Sequence, residues 1–110
     1  MSTPKSISEI ETRLVPRSDD PPGPPRNLCA EYSNMFGAVD TCWDPVPGAH
    51  SYAVESAADP YGPWTQVGAT TQRRYLVTGL KRGARYRFRV RAVSPGGPGA
   101  WSDPAFRIAA

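Results

Sequence analysis

The chain has 110 residues, among them 13 prolines and 10 glycines, with 39% hydrophobic and 10% aromatic side chains. That is the length of one domain with one core, which excludes paired catalytic halves or a separate cofactor domain; the turn-forming content argues against a helical bundle and the apolar content against a disordered chain. The formal net charge of +3 is unevenly placed, because eight basic residues and no acidic one fall between Arg73 and Arg91.

Residues 1–20 read as an arm with three basic and four acidic residues. Ser6 and Glu9 have capping-box spacing, and Ile7, Ile10 and Leu14 recur at i, i+3 and i+7 until Pro16, which predicts a short amphipathic helix. A helix of about eight residues is marginal alone in water, so its apolar stripe needs a surface to lie on; the alternative is a frayed terminus, and Leu14-Val15-Pro16-Arg17-Ser18 resembles an engineered protease site. The N-terminus lacks a basic stretch followed by an apolar one, and no apolar run is long enough to cross a bilayer, so neither a signal peptide nor membrane insertion is expected. Residues 21–25, Pro-Pro-Gly-Pro-Pro, form a semi-rigid hinge that neither continues a helix nor pairs as a central strand.

From residue 26 to 110 the period is two. Leu28, Ala30 and Tyr32 alternate with Cys29 and Glu31; Val39, Thr41 and Trp43 with Asp40 and Cys42; Tyr52, Val54 and Ser56 with Ala53 and Glu55. Two shorter runs follow at residues 64–68 and 74–78. The longest run sets Tyr86, Phe88, Val90 and Ala92 against Arg85, Arg87, Arg89 and Arg91, apolar on one face and cationic on the other, and a last run carries Phe106 and Ile108. Turn formers cluster between them at residues 34–37, 45–48, 59–63, 81–83 and 94–99. Short strands at such intervals predict an all-β, seven-stranded sandwich.

The residues that carry a resemblance are Pro24-Pro25-Arg26-Asn27-Leu28, Trp43-Asp44-Pro45, Tyr52-Ala53-Val54-Glu55, Leu80 six residues before Tyr86, Arg89-Val90-Arg91-Ala92-Val93, and Gly99-Ala100-Trp101-Ser102-Asp103-Pro104. Together they resemble a fibronectin type III domain, an immunoglobulin-like β-sandwich, over about residues 22–110. The resemblance implies a sheet of the first, second and fifth strands packed on a sheet of the third, fourth, sixth and seventh. It also implies Trp43 in the core and a tyrosine corner in which the Tyr86 hydroxyl bonds backbone near Leu80. It implies little about function, because such sandwiches serve in adhesion, in receptors, as spacers of extracellular enzymes and in phage particles.

Catalysis fails on inventory. His50 is the only histidine and opens a strand, the two cysteines have no recognisable spacing to it, and Asp44, Asp59 and Asp103 each precede a proline in turns. One histidine and two cysteines cannot supply a usual structural zinc site, and no glycine-rich loop stands between a strand and a helix, so no enzyme, metal or cofactor is expected. Arg85, Arg87, Arg89 and Arg91 lie about 7 Å apart on one face and form a candidate anion-binding face, which Arg73, Arg74, Lys81 and Arg82 extend. The competing reading is a solvated face neutralised by Glu55 and by stacking of one arginine on Trp101. The patch lacks interleaved aromatics for base stacking, so specific nucleic acid is not expected. Residues 59–64, Asp-Pro-Tyr-Gly-Pro-Trp, form a rigid aromatic loop that could serve as a contact surface, with core anchoring by Trp64 as the alternative.

In the implied fold Cys29 and Cys42 point outward from antiparallel neighbours, where a cross-strand disulfide is conceivable; the absence of a leader favours thiols. Integrin binding is unsupported, since the loop at residues 94–99 holds no Arg-Gly-Asp. The expected role is a non-enzymatic structural or protein-interaction module anchored through Ile7, Ile10 and Leu14 in a larger homo- or hetero-oligomeric assembly, such as a phage or virion decoration or tail, in a virion or the cytoplasm. The alternative is a polyanion- or carbohydrate-binding module of a secreted bacterial protein or adhesin.

Overall fold

Period-two alternation after the proline hinge yields eight strands in the computed structural model, which describes residues 21–110. They are β1 (Cys29–Tyr32), β2 (Val39–Cys42), β3 (Ser51–Ala58), β4 (Thr65–Thr70), β5 (Arg74–Val77), β6 (Arg85–Ser94), β7 (Gly97–Pro98) and β8 (Ala105–Ile108). One sheet has the order β1-β2-β5; the other runs β4-β3-β6-β7, with β8 also paired to β6. Every pairing is antiparallel. The strand beyond the expected seven is the two-residue β7, which pairs with β6 inside the turn expected at residues 94–99; residues 99–104 then leave the regular ladder. They stay beside β6 through Gly99 N–H to the Ala92 carbonyl (2.8 Å) and Ser102 N–H to the Val90 carbonyl (2.8 Å). The Ser102 hydroxyl in turn accepts from Val90 N–H at 3.0 Å.

The core lies between the sheets. Phe88, Val90, Val54, Val39 and Val77 are fully buried, with Ala30, Trp43, Tyr52 and Ala92 around them; each large apolar side chain so buried contributes about 1.5–3 kcal/mol. Trp43 meets the edge of Tyr52 with ring centroids 5.3 Å apart, while the Tyr52 hydroxyl accepts Val46 N–H at 3.0 Å. The Tyr86 hydroxyl accepts Lys81 N–H at 2.8 Å, the corner bond expected near Leu80. Alternation fails on β3, where Ala53 and Ala57 of the outer face are also buried. They stand opposite Arg91 and Arg87, whose long stems cover such small side chains.

The exposed edge of the larger sheet is blunted. On β4 one residue is added between the partners of Val54 and Glu55, which places Val67 in a bulge. The Tyr75 hydroxyl donates to the Val67 carbonyl at 3.2 Å, and the Tyr75 ring lies against Gly68, where a Cβ would collide with it. An added strand would have to displace this cover.

The two ends of the sandwich differ. At one end the hinge is tied down, with Asp44 N–H on the Arg26 carbonyl (2.9 Å) and the Pro22 carbonyl pressed on Gly99, where no Cβ fits. At the other, Gly37 N–H donates to the Ala110 carbonyl (2.6 Å) and Leu80 N–H to the Gly37 carbonyl (2.9 Å). Gly37 has φ 71°, and a Cβ there would lie 2.8 Å from the Leu80 carbonyl oxygen. The residue in the β1–β2 turn that holds the last strand in place is therefore a glycine.

Cys29 and Cys42 are directly opposite in the β1–β2 register, and their sulfurs are bonded, with Cα atoms 5.3 Å apart. Of the two states the sequence left open, free thiols and a cross-strand disulfide, the structure has the disulfide, because register places the side chains together. Closing a loop with a sequence separation of 13 gives about 3 kcal/mol in the chain-entropy picture. Reduction should lower unfolding stability by about that amount in chemical denaturation. A thiol titration of the unreduced, denatured chain should find none; two titrating thiols would contradict the bridge.

Candidate functional site

The outward face of β6 carries Arg85, Arg87, Arg89 and Arg91, and the strands beside it supply what those cations touch. Register places Glu55 of β3 opposite Arg89. The carboxylate accepts from Arg89 Nε at 2.9 Å and from its terminal nitrogen at 2.6 Å, both on Oε1, with side chains only 24% and 17% exposed. The Arg89 guanidinium also lies over Trp64 (4.3 Å to the ring centroid) and over Trp101 (4.1 Å). Arg87 lies over Trp64 at 4.8 Å and Arg91 over Trp101 at 4.4 Å. Along the face the order is Arg87, Trp64, Arg89, Trp101, Arg91, an alternation of cation and indole.

The ends of the row are held as well. Arg87 donates to the Gly62 carbonyl at 2.9 Å. Arg85 is ion-paired with Asp59 at 3.3 Å and lies over Phe106 at 5.0 Å. The Nε atoms of Arg87 and Arg91 are buried without a hydrogen-bond partner, which shows how far the row is packed inward rather than extended into solvent.

This corrects three expectations. Two arginines, not one, stack on Trp101; Trp64 joins the same row rather than the core; and aromatics are interleaved with the cations, although their ring faces are occupied by guanidinium groups. Trp64 could not be placed from sequence because it precedes β4, two strands away from β6. The anion-binding candidates are thus brought together, but as a stack with partners. Ile7, Ile10 and Leu14 lie outside the described residues.

A second surface escaped the sequence reading. Tyr32, Met35 and Phe36 are 59%, 53% and 71% exposed, and Ile108 is 48% exposed. Tyr32, Met35 and Phe36 belong to the end of the sandwich where Gly37 bonds Ala110, whereas Ile108, opposite Arg85 in register, faces outward from the larger sheet beside Phe106. Arg107 lies over Tyr32 at 4.7 Å and Arg82 over Phe36 at 4.0 Å, while Arg107 Nε donates to the Ala30 carbonyl at 2.8 Å and ties β8 to β1. Tyr32 had counted with the inward residues of β1; at the strand's end the opposing sheet no longer covers it. Among the described residues no group of three or more His, Cys, Asp or Glu could hold a metal ion, and no helix is long and apolar enough to cross a membrane.

Two antiparallel sheets packed face to face, a tyrosine corner and a buried tryptophan define an immunoglobulin-like β-sandwich module. The fibronectin type III domain family matches residues 23–108, and the chain belongs to that family. It is similar to cardiac-type myosin-binding protein C of Mus musculus, with 37% identity over 94 residues, 76% of this chain and 7% of that protein; the chain thus spans a small part of its relative's length. Among solved structures it is similar to domains A168–A170 of titin, with 30% identity and a TM-score of 0.73 over 82% of this chain and 32% of that one. A fibronectin-type-III-like protein from Clostridium thermocellum has 31% identity and a TM-score of 0.70 over 77% of this chain and 90% of that one.

Arg89→Ala should cost about 2–3 kcal/mol in urea denaturation, since it removes a charge-assisted bond and leaves Glu55 half-enclosed without its cation. A double-mutant cycle with Glu55→Gln should return a coupling of about 1 kcal/mol or more. Additive effects would show that the pair is an ordinary surface contact.

Proposed function

We propose that the chain works as a non-enzymatic protein-interaction module, with the sandwich as a rigid body and residues 1–20 as its anchor. The observation that carries this reading is the internal satisfaction of the arginine face. Arg87, Arg89 and Arg91 are engaged by Trp64, Trp101, Glu55 and the Gly62 carbonyl. Arg89, stacked between two rings and paired with Glu55, must break that pair to serve a polyanion, while Arg87 and Arg91 are held by stacking without a carboxylate. That weakens the polysaccharide or nucleic-acid alternative at the residues on which it rested. What stays available is apolar surface: the exposed cluster around Phe36 and, from sequence, the stripe Ile7, Ile10 and Leu14. Contiguous exposed apolar groups rimmed by polar ones suit protein contacts.

Membership in the family supports a module that binds other proteins. The virion or phage setting draws no support from the relatives described, which are a muscle protein, titin domains and a bacterial domain. Anchoring by the arm and the absence of catalysis belong to the proposal. In size-exclusion chromatography with light scattering, run alone and with extract of the native source, Ile10→Asp should abolish entry of the full chain into larger complexes. Arg87→Glu should leave it intact. The opposite pattern would favour the polyanion reading and overturn this one.

A further inference from the structure

The exposed cluster and the arm match each other in chemistry. The cluster offers Tyr32, Met35 and Phe36, and its rim carries Lys81, Arg82 and Arg107, of which Arg82 and Arg107 lie over Phe36 and Tyr32. Carboxylates near it are Glu31, beside Tyr32 on β1, Asp40, opposite Glu31 on β2 and 3.9 Å from Arg74, and Asp59, already paired with Arg85. The arm brings Ile7, Ile10 and Leu14 at one-face spacing, with Glu9, Glu11 and Arg13 between them, Lys5 before and Arg17, Asp19 and Asp20 behind. An apolar stripe whose segment Ile7–Leu14 carries two acidic residues and one basic one fits an apolar patch with a cationic rim.

Geometry decides whose arm it is. The hinge is fixed at the opposite end, where Pro22 abuts Gly99, and Gly99 is bonded to Ala92. From Ala92 to Arg85 β6 already runs about 23 Å, and the Phe36 turn lies beyond Arg85, beside the last residues of the chain. Seven residues connect Leu14 to Pro21, at most about 24 Å when fully extended. A tether drawn taut along the whole domain has nothing left to turn the end and seat Leu14 on its own patch. A neighbouring molecule has no such restriction.

We infer that the arm segment Ile7–Leu14 of one copy docks on the Tyr32, Met35 and Phe36 patch of a second copy. The inference rests on the arm-anchored reading above and names its partner. Because the docking element and its receptor lie at opposite ends of the domain, the contact is head-to-tail, and each added copy presents a fresh patch and a fresh arm.

The test uses full-length chains in size-exclusion chromatography with light scattering. Wild-type protein should rise above twice the monomer mass as concentration increases. Ile10→Asp, which keeps the patch, and Phe36→Asp, which keeps the arm, should each stay at the monomer mass. Their equimolar mixture should double to a dimer and go no further, since only one arm and one patch remain competent. Phe36 is exposed, so its replacement should retain a cooperative melt; should it not, Met35→Asp takes its place. A wild-type chain monomeric at every concentration overturns the inference, as does a mixture that stays monomeric or grows beyond a dimer. If the wild type is monomeric alone while Ile10→Asp still abolishes association with extract, the second-copy inference falls and the arm-anchored reading stands. If Ile10→Asp changes neither, both fall.

Discussion

Four guanidinium groups alternate along one face of β6, about 7 Å apart if they kept the spacing of their Cα atoms. Neighbours at that distance repel by about 0.6 kcal/mol in water and by ~2 kcal/mol at an effective dielectric near 20. Burying the other face of the same strand, with Phe88 and Val90 in the core, leaves the arginines no choice of side. The structure answers with two indoles and a carboxylate. Trp64 and Trp101 stand between successive cations, and Glu55 takes two donors from the middle arginine. Cation–π contacts of about 0.5–2 kcal/mol each, with one charge-assisted pair, are of the size needed to offset the repulsion. The stems then cover Ala53 and Ala57, so the outer face of the sheet is close to a second, thin core.

That arrangement redistributes what is available for binding. The larger sheet's outer face is occupied by its own stack, and its β4 edge is closed by the Val67 bulge and the Tyr75 hydroxyl. The three-stranded sheet is stitched by Cys29–Cys42. The ends remain: one tied to the proline hinge through Arg26 and Pro22, the other bearing exposed Tyr32, Met35 and Phe36 beside Ala110. A module whose faces and edge are internally satisfied, and whose ends carry the chain's connections, is suited to end-to-end contacts.

Much of the fold was legible because the core follows a period of two. Val39, Thr41 and Trp43, or Phe88, Val90 and Ala92, declare their inward face without further information, and Tyr86 after Leu80 marks the corner. Less legible was whatever depended on neighbours distant in sequence. Nothing near Trp64 shows that it will lie between Arg87 and Arg89, because that follows from the β3–β4 and β3–β6 registers taken together. Ala53 and Ala57 read as outward, which they are; their burial comes from arginine stems on another strand. The short β7 was hidden in the glycine- and proline-rich turn at residues 94–99, and residues 99–104 after it keep hydrogen bonds to β6 without a regular ladder. Tyr32 and Phe36 lie where one sheet outruns the other, a matter of strand ends that periodicity does not address.

The central claim is that the arginine row is held by its own indole and carboxylate partners and is not an open receptor for anions. Its most direct measurement is an NMR titration of the arginine side-chain Nε–H signals with a sulfated polysaccharide at moderate salt. The account predicts that Arg89 Nε–H, bonded to Glu55, exchanges slowly with water and is displaced by the ring currents of Trp64 and Trp101, and that the signals of Arg87, Arg89 and Arg91 hold their positions throughout. Rapid exchange at Arg89, or a concerted shift of the three as polyanion is added, would contradict it.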